Sequence, residues 1–313
     1  MKSIIFMGTP DFAVPTLQAL LDQKYDIKLV VTQPDRPSGR GQHLKAPPVK
    51  DLALKHGLKV YQPQNLKSSE AQKQILETEC DFIVVIAFGQ ILPKAILEHP
   101  KFAPLNIHAS LLPAYRGAAP IQRSILEGEE KTGVTVQWMI EALDQGDILF
   151  QLPCEITEED SSESLHNNLK ILGAQSILET LRLFEKDSIV RRSQDARVGS
   201  YAPKLTKKES NLSFDESAFF VHRRIMGLNP WPVAECQLRG ENLRIFKSRF
   251  LPRAAQAEPG TVIETTSDEI VVSCQQGCVG ILEVQLENRK RMKAGDFVRG
   301  HPVPPGLILG SKT

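Results

Sequence analysis

Asn106 and His108, a carboxamide and an imidazole separated by one apolar residue, are the side chains in this sequence best suited to chemistry. If residues 103–108 are extended, positions two apart project to the same face. Both polar groups then enter one cleft, just ahead of a loop that carries Pro113 and Gly117. Both are hydrogen-bond donors suited to an oxygen on which negative charge develops. Such a pair needs a carboxylate to complete it. Asp144 is the candidate, because it lies in the glycine-containing turn Leu143-Asp144-Gln145-Gly146-Asp147 after a β-branched run, within reach of a neighbouring strand end. Taken singly, neither signal is specific: an aspartate in such a turn is more often a turn former, and a lone histidine is more often structural.

The elements that must position these groups follow from the periodicity. Ser3 to Phe6 is an apolar run ending at Gly8-Thr9-Pro10, after which Leu17, Leu20 and Leu21 keep a helical spacing with Pro15 in the first turn. Further strands are expected at Asp26 to Thr32, Lys59 to Tyr61 and Asp81 to Ala87, with helix-length segments at Pro48 to Lys55 and Glu70 to Thr78 between them. Near-continuous hydrophobicity in the strands predicts a mostly parallel sheet covered on both faces, a Rossmann-like doubly wound α/β layout. Ligands of such sheets gather at the strand C-terminal ends. Ala87 to Pro93 is expected to begin a helix, Thr132 to Met139 and Leu149 to Ile156 to be strands, and Glu163 to Lys186 to be an amphipathic helix. Beyond a short helix at Glu216 to Met226, five short apolar runs between Ala234 and Gln285 suggest a small C-terminal OB-like β-barrel domain. The expected domains are 1–190, a linker at 191–211, and 212–313.

Composition and missing motifs exclude several function classes. Apolar residues make up 41% of 313, so the chain is neither disordered nor a bulk membrane protein. No run of about eighteen apolar residues occurs, and the first residues lack a signal-peptide pattern, so a soluble cytoplasmic protein is expected. Gly8-Thr9-Pro10 falls short of the dinucleotide fingerprint, and no phosphate-binding Gly-x-x-x-x-Gly-Lys loop is present. The five cysteines, Cys80, Cys154, Cys236, Cys274 and Cys278, are odd in number and lack zinc spacing. The net charge of +1 hides an asymmetry. Up to Pro203 there are 22 cationic against 25 acidic residues, and beyond it 16 against 12. That excess is too mild to establish nucleic-acid binding by itself. The long loop from Gln33 to Pro48, dense in Pro, Gly and cations, either solvates a surface or clamps an anionic substrate.

Taken together, Asn106, His108 and Asp144, with Ser110 to Pro113 after the histidine, resemble the set carried by the folate-dependent formyltransferases. The resemblance is strongest to those acting on methionyl initiator tRNA. Met7 to Phe12, Gln33 to Gly41, Arg116 to Arg123, Tyr201 to Leu205 and Asn229 to Pro232 all look like their signatures, and they span nearly the whole chain. The resemblance implies transfer of a formyl group from N10-formyltetrahydrofolate to the α-amine of methionyl initiator tRNA, in support of translation initiation, without metal or nucleotide. Asn106 and His108 would donate hydrogen bonds to the oxyanion, and Asp144 would hold His108 or accept the amine proton through water. By the same resemblance, folate would bind near Phe88, Gly89, Gln90, Ile91, Leu92 and Pro93, and along Ser110, Leu111, Leu112 and Pro113. Contacts to tRNA are expected from Arg36, Arg40, His43 and Lys45 in the basic loop, and from Lys204, Lys207 and Lys208 in the linker. A monomer is expected.

Two other function classes compete. A formyltransferase acting on a small amine, such as a sugar nucleotide or glycinamide ribonucleotide, shares the Asn, His, Asp core but needs neither the basic loop nor the C-terminal barrel. A non-catalytic nucleic-acid binder should show conspicuous aromatic stacking platforms, and only 6% of the chain is aromatic.

Overall fold

Ile4, Ile5, Phe6 and Met7 are each fully buried. A strand with no exposed side chain on either face belongs in the middle of a covered sheet, and β1 (Ser3–Gly8) lies there. The structure, a computed structural model, describes residues 2–38, 43–255 and 257–310. After β1 come α1 (Val14–Asp22), β2 (Asp26–Val31), β3 (Arg36–Ser38), β4 (His43–Lys45), α2 (Pro48–Lys55), β5 (Val60–Tyr61), α3 (Ser69–Leu76), β6 (Phe82–Ile86), α4 (Lys94–Leu97) and β7 (Ala103–His108). The chain continues through β8 (Arg116–Gly117), α5 (Pro120–Leu126), β9 (Lys131–Trp138), β10 (Ile148–Glu155), α6 (Ser162–Glu185) and β11 (Tyr201–Ala202).

The first sheet runs β10-β9-β7-β6-β1-β2-β5. β1 pairs in parallel with both β2 and β6, β6 with β7, and β2 with β5, whereas β9 is antiparallel to β7. The chain winds outward from β1 to β5 and returns to the other side of β1. The strand order therefore reverses between β1 and β6, where a doubly wound sheet forms its ligand crevice. This is the Rossmann-like layout expected from the sequence, with one antiparallel addition at β9.

Two local expectations fail for identifiable reasons. Ala87 to Pro93 does not begin a helix; α4 starts only at Lys94. Ala87 and Gly89 take φ of +47° and +84°, incompatible with a right-handed helix, and the residue before Pro93 is pushed away from helical geometry. The loop of residues 33–48 carries a ribbon, with Arg36 opposite Lys45 and Pro37 opposite Leu44. A two-stranded ribbon has two free edges and tolerates a proline, so proline density did not preclude pairing there.

The chain folds into two compact units. One comprises Met1–Gly117, Thr132–Cys154 and His166–Ala202; the other comprises Ala118–Lys131, Glu155–Leu165 and Pro203–Thr313. In the second unit, α7 (Ala218–Gly227) precedes β12 (Ala234–Leu238), β13 (Glu241–Leu251), β14 (Val262–Thr265), β15 (Ile270–Ser273), β16 (Cys278–Leu286), β17 (Met292–Lys293) and α8 (Ala294–Gly300). Its antiparallel sheet runs β12-β13-β16-β15-β14, with β17 on β16. The five strands expected from the sequence are all present. The ladder does not itself close, but Leu309 N–H bonds Gly260 O while Gly310 and Gln237 exchange backbone hydrogen bonds, so one terminal segment pairs beside both sheet edges. Phe214, Val221, Ile225, Ile245, Val272 and Ile281 lie in the core of this OB-like unit. Among the described residues, no helix is long and apolar enough to cross a membrane.

Candidate active site

Asn106 and His108 stand at the C-terminal end of β7, one strand from the switch point. The register of β7 against β9 places Asn106 opposite Gln137 and His108 opposite Thr135, and directly opposed residues share a face. Asp144 reaches the same place from the loop after β9. Its Oδ1 lies 3.6 Å from His108 Nδ1, accepts from Gln137 Nε2 at 3.0 Å and faces Asn106 Nδ2 at 3.5 Å. Its Oδ2 accepts from the Gly117 amide at 2.9 Å. The three residues expected from the sequence therefore converge, and the His108 and Asp144 side chains are only 7% and 9% exposed.

The loop is shaped to deliver that carboxylate. Asp144 itself adopts φ +52°, a left-handed conformation that aspartate tolerates better than most residues. Two residues on, a Cβ at Gly146 would lie 1.6 Å from the Trp138 carbonyl oxygen. Only glycine lets the loop fold back so closely on β9.

The other nitrogen of His108 is committed. Nε2 lies 2.8 Å from the Tyr115 carbonyl oxygen, and a carbonyl only accepts, so Nε2 carries a proton. In a neutral ring, Nδ1 is then a lone pair facing the Asp144 carboxylate. Asp144 Oδ1 already accepts from side-chain amides and keeps room for a further donor, whereas the Nδ1 lone pair has none facing it. A group bearing N–H donors, such as a primary amine, would satisfy both. Asn106 keeps a second amide hydrogen besides the one directed at Asp144, available to an oxygen in the same cleft. The site can thus bind an amine, take a proton from it and stabilise an oxyanion.

Neighbouring contacts hold the 110–113 segment. Ser110 Oγ donates to the Ala114 carbonyl at 2.6 Å, Thr135 Oγ1 donates to the Ser110 carbonyl at 2.7 Å, and the Leu112 amide donates to Thr135 Oγ1 at 3.0 Å. Ser110 and Leu112 are buried, while Leu111 and Pro113 are partly exposed. Gln137 was not anticipated from the sequence. It is 2% exposed, and its Oε1 has no partner among the described residues. Strand alternation could have flagged it, since it lies two residues from Thr135 on the same face of β9.

A cavity of about 520 Å³ opens at the C-terminal ends of β1, β2 and β6, lined by Thr9, Pro10, Gln33, Ala87, Phe88 and Gly89 on one side and by Arg36, Pro37 and residues 45–48 on the other. Members of two expected sets therefore meet here: Phe88 and Gly89 with Arg36 and Lys45. The rest of the first folate set lies elsewhere. Gln90 is engaged with the Leu66 amide and the Pro63 carbonyl, Leu92 is in the core, Ile91 is exposed and Pro93 precedes α4. In the cavity wall, Gln33 Nε2 donates to the Phe88 carbonyl. Hydrogen bonds from Lys50 and Gln62 hold the Asp35 carboxyl below the usual carboxylate range.

Arg40 lies outside the described residues, as does the side chain of His43. Lys204, Lys207 and Lys208 are exposed in the second unit, and the Lys207 ammonium lies 3.3 Å from Glu235. The described residues contain no cluster of His, Cys, Asp and Glu able to hold a metal ion. Among the described residues no disulfide forms, and burial pushes the thiols of Cys80, Cys236 and Cys274 up to about 12.

Comparison with known proteins bears on this site. Residues 1–181 match the family described as "Formyl transferase", and residues 204–302 match "Formyl transferase, C-terminal domain". The chain is 43% identical over 307 residues to a protein of Clostridioides difficile named methionyl-tRNA formyltransferase, covering 98% of this chain and 99% of that one. It is 45% identical over 308 residues to a protein of the same name from Methylococcus capsulatus, covering 98% and 99%. Among solved structures, an N-formyltransferase from Helicobacter canadensis, in complex with folinic acid and dTDP-3-aminofucose, shares the fold with a TM-score of 0.69 at 18% identity. That likeness covers 90% of this chain and 99% of that one.

Proposed function

The chain belongs to the formyl transferase family, and from that premise we propose that it transfers the formyl group of N10-formyltetrahydrofolate to the α-amine of methionyl initiator tRNA. The relatives named for that activity align over 98% of this chain, both units included. Identity of 43–45% over that length supports a tRNA substrate over a small amine. The observation that carries the chemistry is the acceptor pair at the end of β7, His108 Nδ1 facing Asp144, with the Asn106 amide beside it.

The reaction has two electrostatic problems. As the amine nitrogen bonds to the formyl carbon, an electron pair moves onto the carbonyl oxygen, and the nitrogen becomes too acidic to keep all its protons. Asn106 donates to the oxygen. His108 Nδ1 takes the proton, and Asp144 stabilises the resulting imidazolium. Protonated His108 can then hydrogen-bond the oxyanion while keeping that proton, and finally deliver it to the folate nitrogen as the bond from that nitrogen to the formyl carbon breaks. The proton lost by the amine is the one gained by the leaving nitrogen, so the step balances without metal or nucleotide. Phe88 and Gly89 line the cavity that we assign to the folate, and Arg36 and Lys45 face the same space with charge suited to phosphate.

The test is a formyl-transfer assay with N10-formyltetrahydrofolate, offering methionyl initiator tRNA or free small amines. Formylmethionyl-tRNA is the expected product. Formylation of a sugar nucleotide or glycinamide ribonucleotide, with none of the tRNA, would contradict the proposal.

A further inference from the structure

Gln194, fifty residues downstream of Asp144 in the segment that leads out of the first unit, makes two hydrogen bonds to the Asp144 loop. Its Nε2 donates to the Asp144 carbonyl at 2.9 Å and to the Gly146 carbonyl at 2.7 Å. Its Oε1 accepts from Arg116 Nε at 3.1 Å and Nη2 at 2.8 Å. The guanidinium fixes which end of the amide is oxygen, because it can only donate. The NH₂ end must therefore face the two carbonyls, and both its hydrogens are used. Arg116 in turn has room beside Gly199, where a Cβ would approach its Nη1 to 2.7 Å.

The same segment grips Asp144 a second time. Tyr201 and Ala202 pair in parallel with Arg116 and Gly117, and the Gly117 amide is the donor to Asp144 Oδ2. Asp144 sits at φ +52°, a left-handed conformation that costs less for aspartate than for most residues but still benefits from being held. Gln194 supplies that hold on the backbone of the residue whose side chain faces His108.

We propose that Gln194, oriented by Arg116, is a positioning residue for formyl transfer: its amide clamps the Asp144 loop and sets the distance from the carboxylate to His108. This rests on the function proposed above. A carboxylate displaced by about an ångström loses productive geometry on the order of tenfold to a hundredfold in rate, while binding of the folate and of the tRNA body, which other groups hold, is retained.

Two variants and a control test it, with each preparation normalised by folate-binding stoichiometry so that only folded enzyme is counted. Gln194→Met keeps the length and removes all donors; Gln194→Glu keeps the Arg116 pairing but cannot donate to the carbonyls. Both should lose at least about tenfold in kcat with KM for tRNA and folate within about twofold of wild type. Wild-type kcat in Gln194→Met would overturn the inference. So would full activity in Gln194→Glu, which would leave the Arg116 pairing as the relevant contact, or a raised KM with unchanged kcat. Asp144→Asn is run alongside. A wild-type chain that does not formylate tRNA, or an unimpaired Asp144→Asn, defeats the proposed function itself. An impaired Asp144→Asn beside an unimpaired Gln194→Met defeats only the clamp.

Discussion

His108 in the first unit and His222 in the second begin from the same arrangement and end in different chemistry. Both rings are buried, at 7% and 1% exposure, and each donates its Nε2 hydrogen to a backbone carbonyl at 2.8 Å, Tyr115 for one and Glu158 for the other. In its neutral form each ring therefore presents a lone pair at Nδ1. For His222 that lone pair meets the Ser248 hydroxyl at 2.9 Å, which can turn its hydrogen to the ring. The imidazole is satisfied on both sides, and burial lowers its pKa. For His108 the lone pair meets a carboxylate that has no hydrogen to give. Burial and a carbonyl anchor are common to both, so the partner of the second nitrogen separates a structural histidine from one poised for proton transfer.

The largest break in this comparison should come from the first unit. Asp144→Asn and His108→Ala are each expected to lose on the order of a hundredfold to a thousandfold in kcat per folded molecule, with folate binding retained. Single-turnover rates near wild type in either would end the assignment. Next in size, His222→Ala should cost about 2–4 kcal/mol in unfolding free energy, through a cavity and two orphaned hydrogen-bonding groups. Rate per folded molecule should hardly change, and a denaturant melt paired with an activity measurement separates the two effects.

A smaller effect sharpens the contrast through pH. Because burial lowers the His222 pKa, the unfolded chain takes up the proton first as pH falls. His222 therefore adds no pH dependence above about 6.5. Below that, stability declines by at most about 1.4 kcal/mol per pH unit until the folded pKa is passed. The pH-dependent difference between wild type and His222→Gln, followed by denaturation from pH 8 to 5, should show this decline and its direction. Smallest of all, Ser248→Ala should cost about 1 kcal/mol by leaving the His222 lone pair without its donor, measured in the same melts.

Much of this was legible in the sequence because it depends on residue type and period. The strand from Ala103 to His108 has the bounds expected from alternation, and that alternation put Asn106 and His108 on one face. The glycine turn that delivers Asp144 was visible because Gly146 leaves a compositional trace. What could not be read depends on where the backbone points. The Tyr115 carbonyl that fixes the His108 ring has no side-chain signature, and the positive φ at Ala87 that prevents a helix arises at a residue that normally favours one. Alternation shows which face Gln137 takes, but only the pairing of β9 with β7 brings it to Asp144, and Gln194 gains its role from a contact fifty residues away. In each case the chemistry belongs to tertiary register, which local pattern does not encode.

The most direct test is ¹⁵N NMR of the histidine side chains in the resting protein, with His108 and His222 assigned by substitution. Both neutral rings should carry their proton on Nε2 with Nδ1 bare, and addition of an amine substrate should perturb Nδ1 of His108 while leaving His222 unchanged. A resting His108 protonated at Nδ1, or one that ignores the amine, would contradict its role as the proton acceptor.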